Sequence, residues 1–435
     1  MTSLAAGIAI VASAVMTSCG SPGAESSVAG GSSAATTTAP RASFDPPKAF
    51  GPQAVAKVAI PDPQYWSREC TLADSDLRCT SRRGWMSALD PVSGQSVWKI
   101  TTTLTPVEVK PSPNYGVVSA PVTQGTTAVG AFAGVVAAVG TAPAQDAIEV
   151  VAVDTTTGKL SWNAVLNIGA APRDGRRTMS EIPAVKVIGV TDTSVVVSAS
   201  HGWRQRSTWV LDRASHQVKW QNNDFLAKFV GGDTVVGEAP GTPDRLGSVG
   251  VARKGLALAD GRDRWTTEMG GDDTAYLAPN APNAVFVESY KKFAILDPMT
   301  GTAMYSIDDP DANGTGTGLG MTTTWNCYYD SRQTVACQNK SQVAGFDLSN
   351  PTTPTWGFRA DSNRVPPTIT AAYHGVLYGL NTSNQPVMLD ATTGKDLPDN
   401  PGIAPAMVNR FTGIVSTPVP RGINETNGIV YRATS

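Results

Sequence analysis

Short stretches of alternating or continuous apolar residues recur along the chain, separated by turns rich in Gly, Asp, Thr and Pro. Examples are VVVSAS and TWVLD, VFVES and FAILD, and VLYGL and PVMLD. A strand buried on one face alternates, and a strand buried on both faces gives a continuous apolar run. No long stretch shows the 3.6-residue spacing of an amphipathic helix. The pattern therefore predicts an all-β protein built from many short strands.

A repeated motif follows one strand in each group of strands. An Asp precedes a Gly by four positions and a Trp by eight in the most regular copies. The seven copies are LDPVSGQSVW, VDTTTGKLSW, LDRASHQVKW, ADGRDRW, LDPMTGTAMY, FDLSNPTTPTW and LDATTGKDLP, of which the fourth is shortened, the sixth is lengthened and the seventh lacks the aromatic residue. The Asp positions are Asp90, Asp154, Asp212, Asp260, Asp297, Asp347 and Asp390, and the aromatic positions are Trp98, Trp162, Trp220, Trp265, Tyr305 and Trp356. The mean spacing is about 50 residues, the length of one four-stranded propeller blade.

Each position of the motif has a physical role. The Asp carboxylate is expected to accept backbone N–H bonds within a turn, and the Gly supplies the positive φ that ends it. The Trp then lies on the next strand, where it is expected to be buried between neighbouring blades. Two strands upstream, the Asp strand and the Trp strand together make four.

Four cysteines form two close pairs, Cys70 with Cys79 and Cys327 with Cys337. Each pair brackets a polar turn, and Cys70 and Cys327 stand the same distance before Asp90 and Asp347. We therefore expect each pair to be a disulfide between the first and second strands of a blade. A zinc cluster is the alternative, but the chain has only three His and neither pair is C-x-x-C.

The N-terminus predicts export. Residues 4–16 form an apolar run followed by Met16-Thr17-Ser18-Cys19-Gly20, which resembles the lipobox of bacterial lipoproteins. The resemblance implies a signal peptide over residues 1–18, a lipid on Cys19, and attachment to the bacterial cell membrane outside the cytoplasm. Residues 19–48 are rich in Gly, Ser, Ala, Thr and Pro and are expected to form a flexible tether, with the propeller over 49–435. A buried N-terminal strand with an incidental cysteine is the alternative.

The LDxxTGxxxW unit resembles the repeat of pyrroloquinoline-quinone (PQQ)-like propellers. That family includes quinoprotein alcohol dehydrogenases and the propeller lipoprotein of the bacterial outer-membrane assembly machinery. The resemblance implies a β-propeller of four-stranded blades, with seven clear repeats. An eighth blade stays open as an alternative, in which GIVSTPV and GIVYRAT are the first two strands and AVAKVAI, from the N-terminal side, completes the blade.

The quinoprotein signatures are missing from this sequence. The enzymes carry adjacent cysteines or a C-x-x-C-H haem motif, and neither occurs here. The chain also lacks H-E-x-x-H, G-x-S-x-G and P-loop motifs. We therefore assign no catalytic residue, and we expect neither PQQ nor another cofactor, with calcium as the one exception.

A calcium loop is the metal site that the sequence suggests. Asp309, Asp311 and Asn313 precede Gly314 with the spacing of the first half of such a loop. The twelfth position is Gly320, where an EF-hand requires Glu. The alternative is a plain polar turn between blades.

The net charge and composition argue against nucleic acid as a binding partner. The net charge of −2 and pI of about 6.0 give no electrostatic footprint for nucleic acid. We predict a non-catalytic scaffold that binds an envelope protein, for example through an added strand at a blade edge. The alternative is a small-ligand or quinoprotein-like role in the propeller funnel.

Trp203, Arg204 and Arg206 are residue types that are enriched at binding hot spots. A locally packed surface turn also accounts for these three residues. The basic stretch 173–177 is expected to be a solvated loop.

Overall fold

The computed structural model describes residues 41–60, 69–81, 84–106, 118–170, 184–201, 205–243, 249–269, 275–278, 281–289, 292–308, 325–359, 363–417 and 426–435. Within these ranges every regular element is a β-strand. The described residues therefore contain no helix that could cross a membrane. The expected all-β class is confirmed.

The strands form eight antiparallel sheets, which we number as blades 1 to 8. Blade 1 consists of β2 (Cys70–Leu72), β3 (Leu77–Ser81), β4 (Trp85–Leu89) and β5 (Ser96–Thr101). Blade 2 consists of β6 (Thr105–Pro106), β7 (Val122–Gln124), β8 (Thr127–Val136), β9 (Gln145–Asp154) and β10 (Lys159–Ala170), with β6 and β7 both pairing with β8. Blade 3 consists of β11 (Ala184–Val190), β12 (Ser194–His201), β13 (Gln205–Asp212) and β14 (Val218–Asn222).

The next four blades follow the same plan. Blade 4 consists of β15 (Leu226–Gly231), β16 (Thr234–Pro243), β17 (Val249–Ala257) and β18 (Asp263–Met269). Blade 5 consists of β19 (Ala275–Tyr276), β20 (Val285–Ser289), β21 (Lys292–Leu296) and β22 (Ala303–Asp308). Blade 6 consists of β23 (Asn326–Tyr329), β24 (Thr334–Gln338), β25 (Gln342–Asp347) and β26 (Trp356–Arg359). Blade 7 has three strands, β27 (Thr368–Tyr373), β28 (Val376–Leu380) and β29 (Pro386–Asp390).

Blade 8 closes the ring with strands from both ends of the described chain. It consists of β30 (Met407–Val408), β31 (Thr412–Thr417), β32 (Thr426–Ala433) and β1 (Phe50–Ile60), in that order. Strand β1 runs antiparallel to β32, from Phe50 opposite Ala433 to Ile60 opposite Thr426. The composite eighth blade is confirmed. One detail of the expectation was wrong, because GIVSTPV and GIVYRAT contribute the second and third strands, and β30 supplies the first.

The core is divided into apolar clusters between the blades. Eight clusters of buried residues occur among the described residues, and each joins two neighbouring blades. Val196 and Val210 of blade 3, for example, pack with Phe225 and Ala227 of blade 4. Val58 of β1 packs with Leu77 of blade 1, which closes the circle. Because each blade buries both faces, its middle strands are continuous apolar runs.

The motif Asp residues form the turns between third and fourth strands. In each, an Asp oxygen accepts a backbone N–H two residues on, at Asp90, Asp154, Asp212, Asp260, Asp297, Asp347 and Asp390. The motif Trp then packs on the positive-φ residue of the next blade. Trp98 lies against Gly158 and Trp265 against Gly301, while Trp162 stacks on His216, which has φ 61° in place of a glycine.

The fourth repeat is full length, and its apparent shortening was a misalignment. Ala257 occupies the Asp position, because its N–H bonds to Arg262 O and its carbonyl accepts from Gly261 N, both at 2.8 Å. Trp220 of blade 3 donates its indole N–H to Leu258 O at 2.9 Å, as Trp265 does to Pro298 O in the following blade. Asp260 therefore lies inside the turn and bonds only locally to Arg262 N.

Both disulfides are present in the structure. Cys70 pairs with Cys79 between β2 and β3, and Cys327 pairs with Cys337 between β23 and β24. In each case the two cysteines are directly opposite each other in the strand register. The bonds therefore link the first and second strands of blades 1 and 6.

Two glycines with the same turn sequence provide a test of the packing between blades. Gly301 and Gly94 have φ of 70° and 69°, but an added Cβ would lie 2.5 Å from the Trp265 ring at Gly301 and within 4 Å of nothing at Gly94. We expect Gly94→Ala to cost about 1 kcal/mol for the backbone alone, and Gly301→Ala about 3 kcal/mol because overpacking is added. Denaturant unfolding measures both, and equal losses would contradict the packing role of Trp265.

Candidate functional site

Several residues that the sequence singled out lie outside the described residues. These are Cys19 with the rest of the proposed signal and tether up to residue 40, the proposed calcium ligands Asp309, Asp311 and Asn313, and the segments 171–183 and 202–204. Within the described ranges, no group of three or more His, Cys, Asp or Glu side chains could hold a metal ion. The calcium loop thus stays a prediction.

The two faces of the ring carry different strand connections. The turns between first and second strands and between third and fourth strands lie on one face, here called the turn face. The hairpin ends between second and third strands lie on the opposite face, here called the loop face. The assignment follows from the alternating strand direction within each antiparallel blade.

The N-terminal segment 42–49 packs on the turn face. Phe44 N donates to Arg410 O at 2.8 Å in the turn of blade 8. Asp45 bonds to His374 in the turn of blade 7 and lies 3.3 Å from Arg332 Nη2 in the turn of blade 6. The compact unit spans Ala42–Ser435, so residues 42–48 lie within it.

A cavity of about 120 Å³ lies between blades 3 and 4. It is lined by Ala184 and Lys186 of β11, Ser198 and Ser200 of β12, and Leu226, Ala227 and Lys228 of β15. Ser198 is opposite Lys186, and Ser200 is opposite Ala184. Strands β11 and β15 are the innermost strands of their blades, so the cavity lies at the inner part of the interface, next to its apolar cluster.

The polar groups of this cavity are hydrogen-bond donors without partners among the described residues. Neither the Lys186 ammonium nor the Ser198 and Ser200 hydroxyls pair with another described side chain or carbonyl. Burial lowers the pKa of Lys186, and the like charge of Lys228 lowers it further. Ser198 is 2% exposed, and buried polar groups are normally paired, so this cavity presents hydrogen-bond donors to a ligand.

A second polar group extends from the cavity toward blade 5. Lys228 Nζ lies 3.5 Å from Glu238 Oε2 and 5.9 Å from the centre of the Tyr276 ring. Glu238 is opposite Arg253 in the register of β16 and β17. Burial raises the pKa of Tyr276, and the Glu238 charge adds to that effect while Arg253 opposes it. The tyrosine therefore stays neutral, and the set carries more positive than negative charge.

Blade 2 carries a long apolar hairpin on the loop face. Strands β8 and β9 have ten residues each, against five in the corresponding strands of blades 1 and 5. At 3.3 Å per residue the hairpin extends about 16 Å farther than those of blades 1 and 5, whereas the strands of blade 4, with ten and nine residues, are similar in length. All residues from 136 to 143 are exposed, with Val136 at 39% and Val139 at 74%, and residues 127–145 contain no charged side chain.

The hairpin end is an ordered turn. Val139 and Ala142 exchange two backbone hydrogen bonds, of 3.1 and 3.0 Å, and Gly140 has φ 59°. The apolar side chains at the tip are therefore presented to solvent by a closed turn. Exposed apolar surface of this kind marks an interaction site more often than a structural need.

Sequence reasoning missed these features, although signals existed. Lys186 in AVKVIGV, Lys228 in LAKFVG and Glu149 in AIEVVAV each interrupt an apolar strand with a charge. A charge in a buried strand requires pairing or a function. The uncharged stretch 127–145 was equally visible, but it was interpreted only as part of the strand pattern.

Comparisons with known proteins found similar solved structures at low sequence identity. No family model and no curated protein matches this chain. Similar solved structures include BamB from Moraxella catarrhalis, at 14% identity over 87% of this chain and 97% of that chain, TM-score 0.42. The computationally designed Ika8 protein matches at 14% over 88% and 99%, TM-score 0.47. The quinohemoprotein alcohol dehydrogenase from Comamonas testosteroni matches at 11% over 88% and 76%, TM-score 0.46. The β-propeller fold that the repeat predicted is confirmed by the eight blades of the structure itself.

Proposed function

We propose that this protein is a lipid-anchored β-propeller that acts outside the cytoplasm as a non-catalytic scaffold and binds another protein of the bacterial cell envelope. The observation that carries the proposal is the exposed, uncharged hairpin of blade 2. The partner surface is an apolar groove that receives Val136, Val139 and Pro143. Lipidation of Cys19 supplies the anchor.

The position of the N-terminal segment supports this arrangement. Residues 42–49 contact the turn face, through Phe44 and Asp45, whereas the blade 2 hairpin projects from the loop face. A tether that joins the propeller on the turn face leaves the apolar tip on the side away from the attachment point. The tip also lacks the aromatic and basic residues that characterise membrane-inserting surfaces, which favours a protein over a lipid surface.

The open edge of blade 7 is a weaker candidate for binding by strand addition. Strand β29 has no fourth strand beside it, but Leu397 N already bonds to Met388 O on that edge at 2.9 Å. Pro386 removes one further donor. The outer edge of β10 is longer, at twelve residues, and adjoins the apolar hairpin, so strand addition is more plausible there.

Site-specific photo-crosslinking in the native cells tests the proposal. A photoreactive residue at Thr141, in the blade 2 tip, is expected to give one defined protein adduct, and the same residue at Ser383, at the exposed hairpin end of blade 7, is expected not to. Val139→Asp should reduce the adduct about tenfold or more, because a charge would be buried at the centre of the interface. Val218→Asp is the matched control, since Val218 is 44% exposed on β14 of another blade.

The anchor is tested in the same cells. Cys19→Ala is expected to move the propeller from the membrane fraction to the soluble fraction and to lower the Thr141 adduct. An adduct that survives Val139→Asp would contradict docking through the blade 2 tip. Recovery of lipid rather than protein at Thr141 would instead make the tip a membrane contact.

A further inference from the structure

We propose that the cavity between blades 3 and 4 is a binding site for a small oxyanion, namely phosphate or the phosphoryl group of a monoester. The ligand is recognised by the Lys186 ammonium and the Ser198 and Ser200 hydroxyls, with Lys228 at the cavity wall. This site is separate from the blade 2 hairpin and does not depend on the proposed scaffold function.

The donor set determines the ligand class. The lining contributes two ammonium groups and two hydroxyls and no carboxylate. The carboxylate of Glu238, outside the lining, is paired with Lys228 at 3.5 Å. Cation binding is therefore opposed, whereas an anion would satisfy the unmet donors through charge-assisted hydrogen bonds.

Arg206 adds a third cation on the same blade face. It is opposite Ser200 in the strand register, and it stands two residues before Thr208, whose hydroxyl contacts Phe225 O and Ala227 N of blade 4. Side chains two apart share one face of a strand. The Arg206 Nη1 atom is buried and has no hydrogen-bond partner among the described residues. The Arg206 guanidinium is therefore a further donor at this interface that an anion could satisfy.

The size of the cavity fits this ligand. A single water requires about 10–15 Å³ of such space, and the cavity offers about 120 Å³. A tetrahedral oxyanion therefore fits with room for accompanying water.

The energetic cost of the empty site supports a binding role. An unpaired buried ammonium opposes folding, as the depressed pKa of Lys186 indicates. A methionine would fill the same space without that cost. A lysine at this position lowers stability in the free protein and recovers the loss when an anion binds.

Thermal unfolding with inorganic phosphate tests the site. Phosphate at millimolar concentration is expected to raise the Tm of the wild-type protein relative to chloride at equal ionic strength, because a ligand that binds only the folded state stabilises it. Lys186→Met should raise the Tm without phosphate and reduce phosphate affinity at least tenfold by calorimetry. Lys395→Met, at an exposed turn lysine, is the matched control and should bind phosphate as the wild type does.

Two further measurements test the serine hydroxyls and identify the source of the phosphoryl group. Ser198→Ala with Ser200→Ala should lower affinity about threefold to tenfold while leaving the fold intact by circular dichroism. Glycerol 3-phosphate distinguishes the source of the group, since equal or tighter binding than phosphate indicates a monoester ligand. No phosphate-specific Tm shift in the wild type, or an unchanged shift in Lys186→Met, would overturn the proposal.

Discussion

A chain that begins at residue 61 is expected not to fold, whereas the same chain with residues 42–60 attached after Ser435 is expected to fold as the intact propeller does. Removal of β1 takes the outer strand from blade 8 and exposes the clusters that hold Phe50 and Val58. Blade 8 would be left with the edge of β32 unpaired. An open ring with exposed apolar faces should aggregate.

The rearranged chain is feasible because the C-terminus lies beside the segment to be moved. Lys48 N donates to Ser435 O at 2.6 Å, so a flexible Gly-Ser linker long enough to reach back over residues 42–47 can join Ser435 to the start of that segment. A chain that begins at residue 42, with no other change, is the control. Circular dichroism, size-exclusion chromatography and thermal unfolding measure the outcome. A monomeric chain from residue 61 with a cooperative transition would show that β1 is dispensable.

Glu149→Ala is expected to destabilise the propeller by about 3 kcal/mol, because it leaves the buried Thr102 hydroxyl and several partly buried donors without their shared acceptor. Glu149 is 1% exposed in β9. Its carboxylate accepts from the Thr102 hydroxyl, from Thr103 N at 2.6 Å and Oγ1 at 3.0 Å, and from Asn163 Nδ2 at 2.6 Å. Because Thr102 and Thr103 follow the outer strand of blade 1, the carboxylate joins blades 1 and 2.

The same carboxylate predicts acid sensitivity. Burial by itself raises the pKa of Glu149, but the hydrogen bonds from Thr102, Asn163 and Thr103 outweigh burial and hold the pKa below its ordinary value. A group with a depressed pKa stabilises the folded state above its ordinary pKa, and that contribution is lost as pH falls through the folded value. The unfolding free energy of the wild-type protein should therefore decrease as the pH is lowered through the acid range.

Glu149→Gln separates the charge from the shape of the side chain. The amide keeps the volume and one acceptor oxygen, so we expect a loss of about 1–2 kcal/mol at neutral pH and a weaker decline in acid. Denaturant unfolding of the wild type, Glu149→Gln and Glu149→Ala at several pH values measures both effects. Identical acid slopes in all three would assign the sensitivity to other carboxylates.

The blade repeat was predictable because its determinants are local. An Asp that caps a turn, a Gly at positive φ and a Trp four residues later act within ten residues of chain, and their recurrence identifies seven of the eight blades. The disulfides were predictable for the same reason, since Cys70 and Cys79 are opposite each other in one hairpin. The fourth repeat was misaligned because Ala257 lacks the Asp side chain and the neighbouring Asp260 imitates it.

The candidate sites depended on contacts between distant segments. Lys186, Ser200 and Leu226 lie on three strands of two blades, and only the packing of those blades encloses a cavity among them. The apolar hairpin of blade 2 was visible as composition, but its exposure depends on strand lengths relative to the other blades. A lysine within an apolar strand or an uncharged stretch is visible in the sequence, but neither signal shows which segments come together or which hairpin protrudes.

The sequence by itself determined the all-β class, the repeated blade, the strand-linking disulfides and the prediction of an exported, anchored chain, because each depends on residues close together in the chain. Only the tertiary structure decided that the ring has eight blades. Closure requires β1 to pair with β32, at the far end of the chain, and the gain in buried apolar surface that selects this pairing exists only once the other blades are in place.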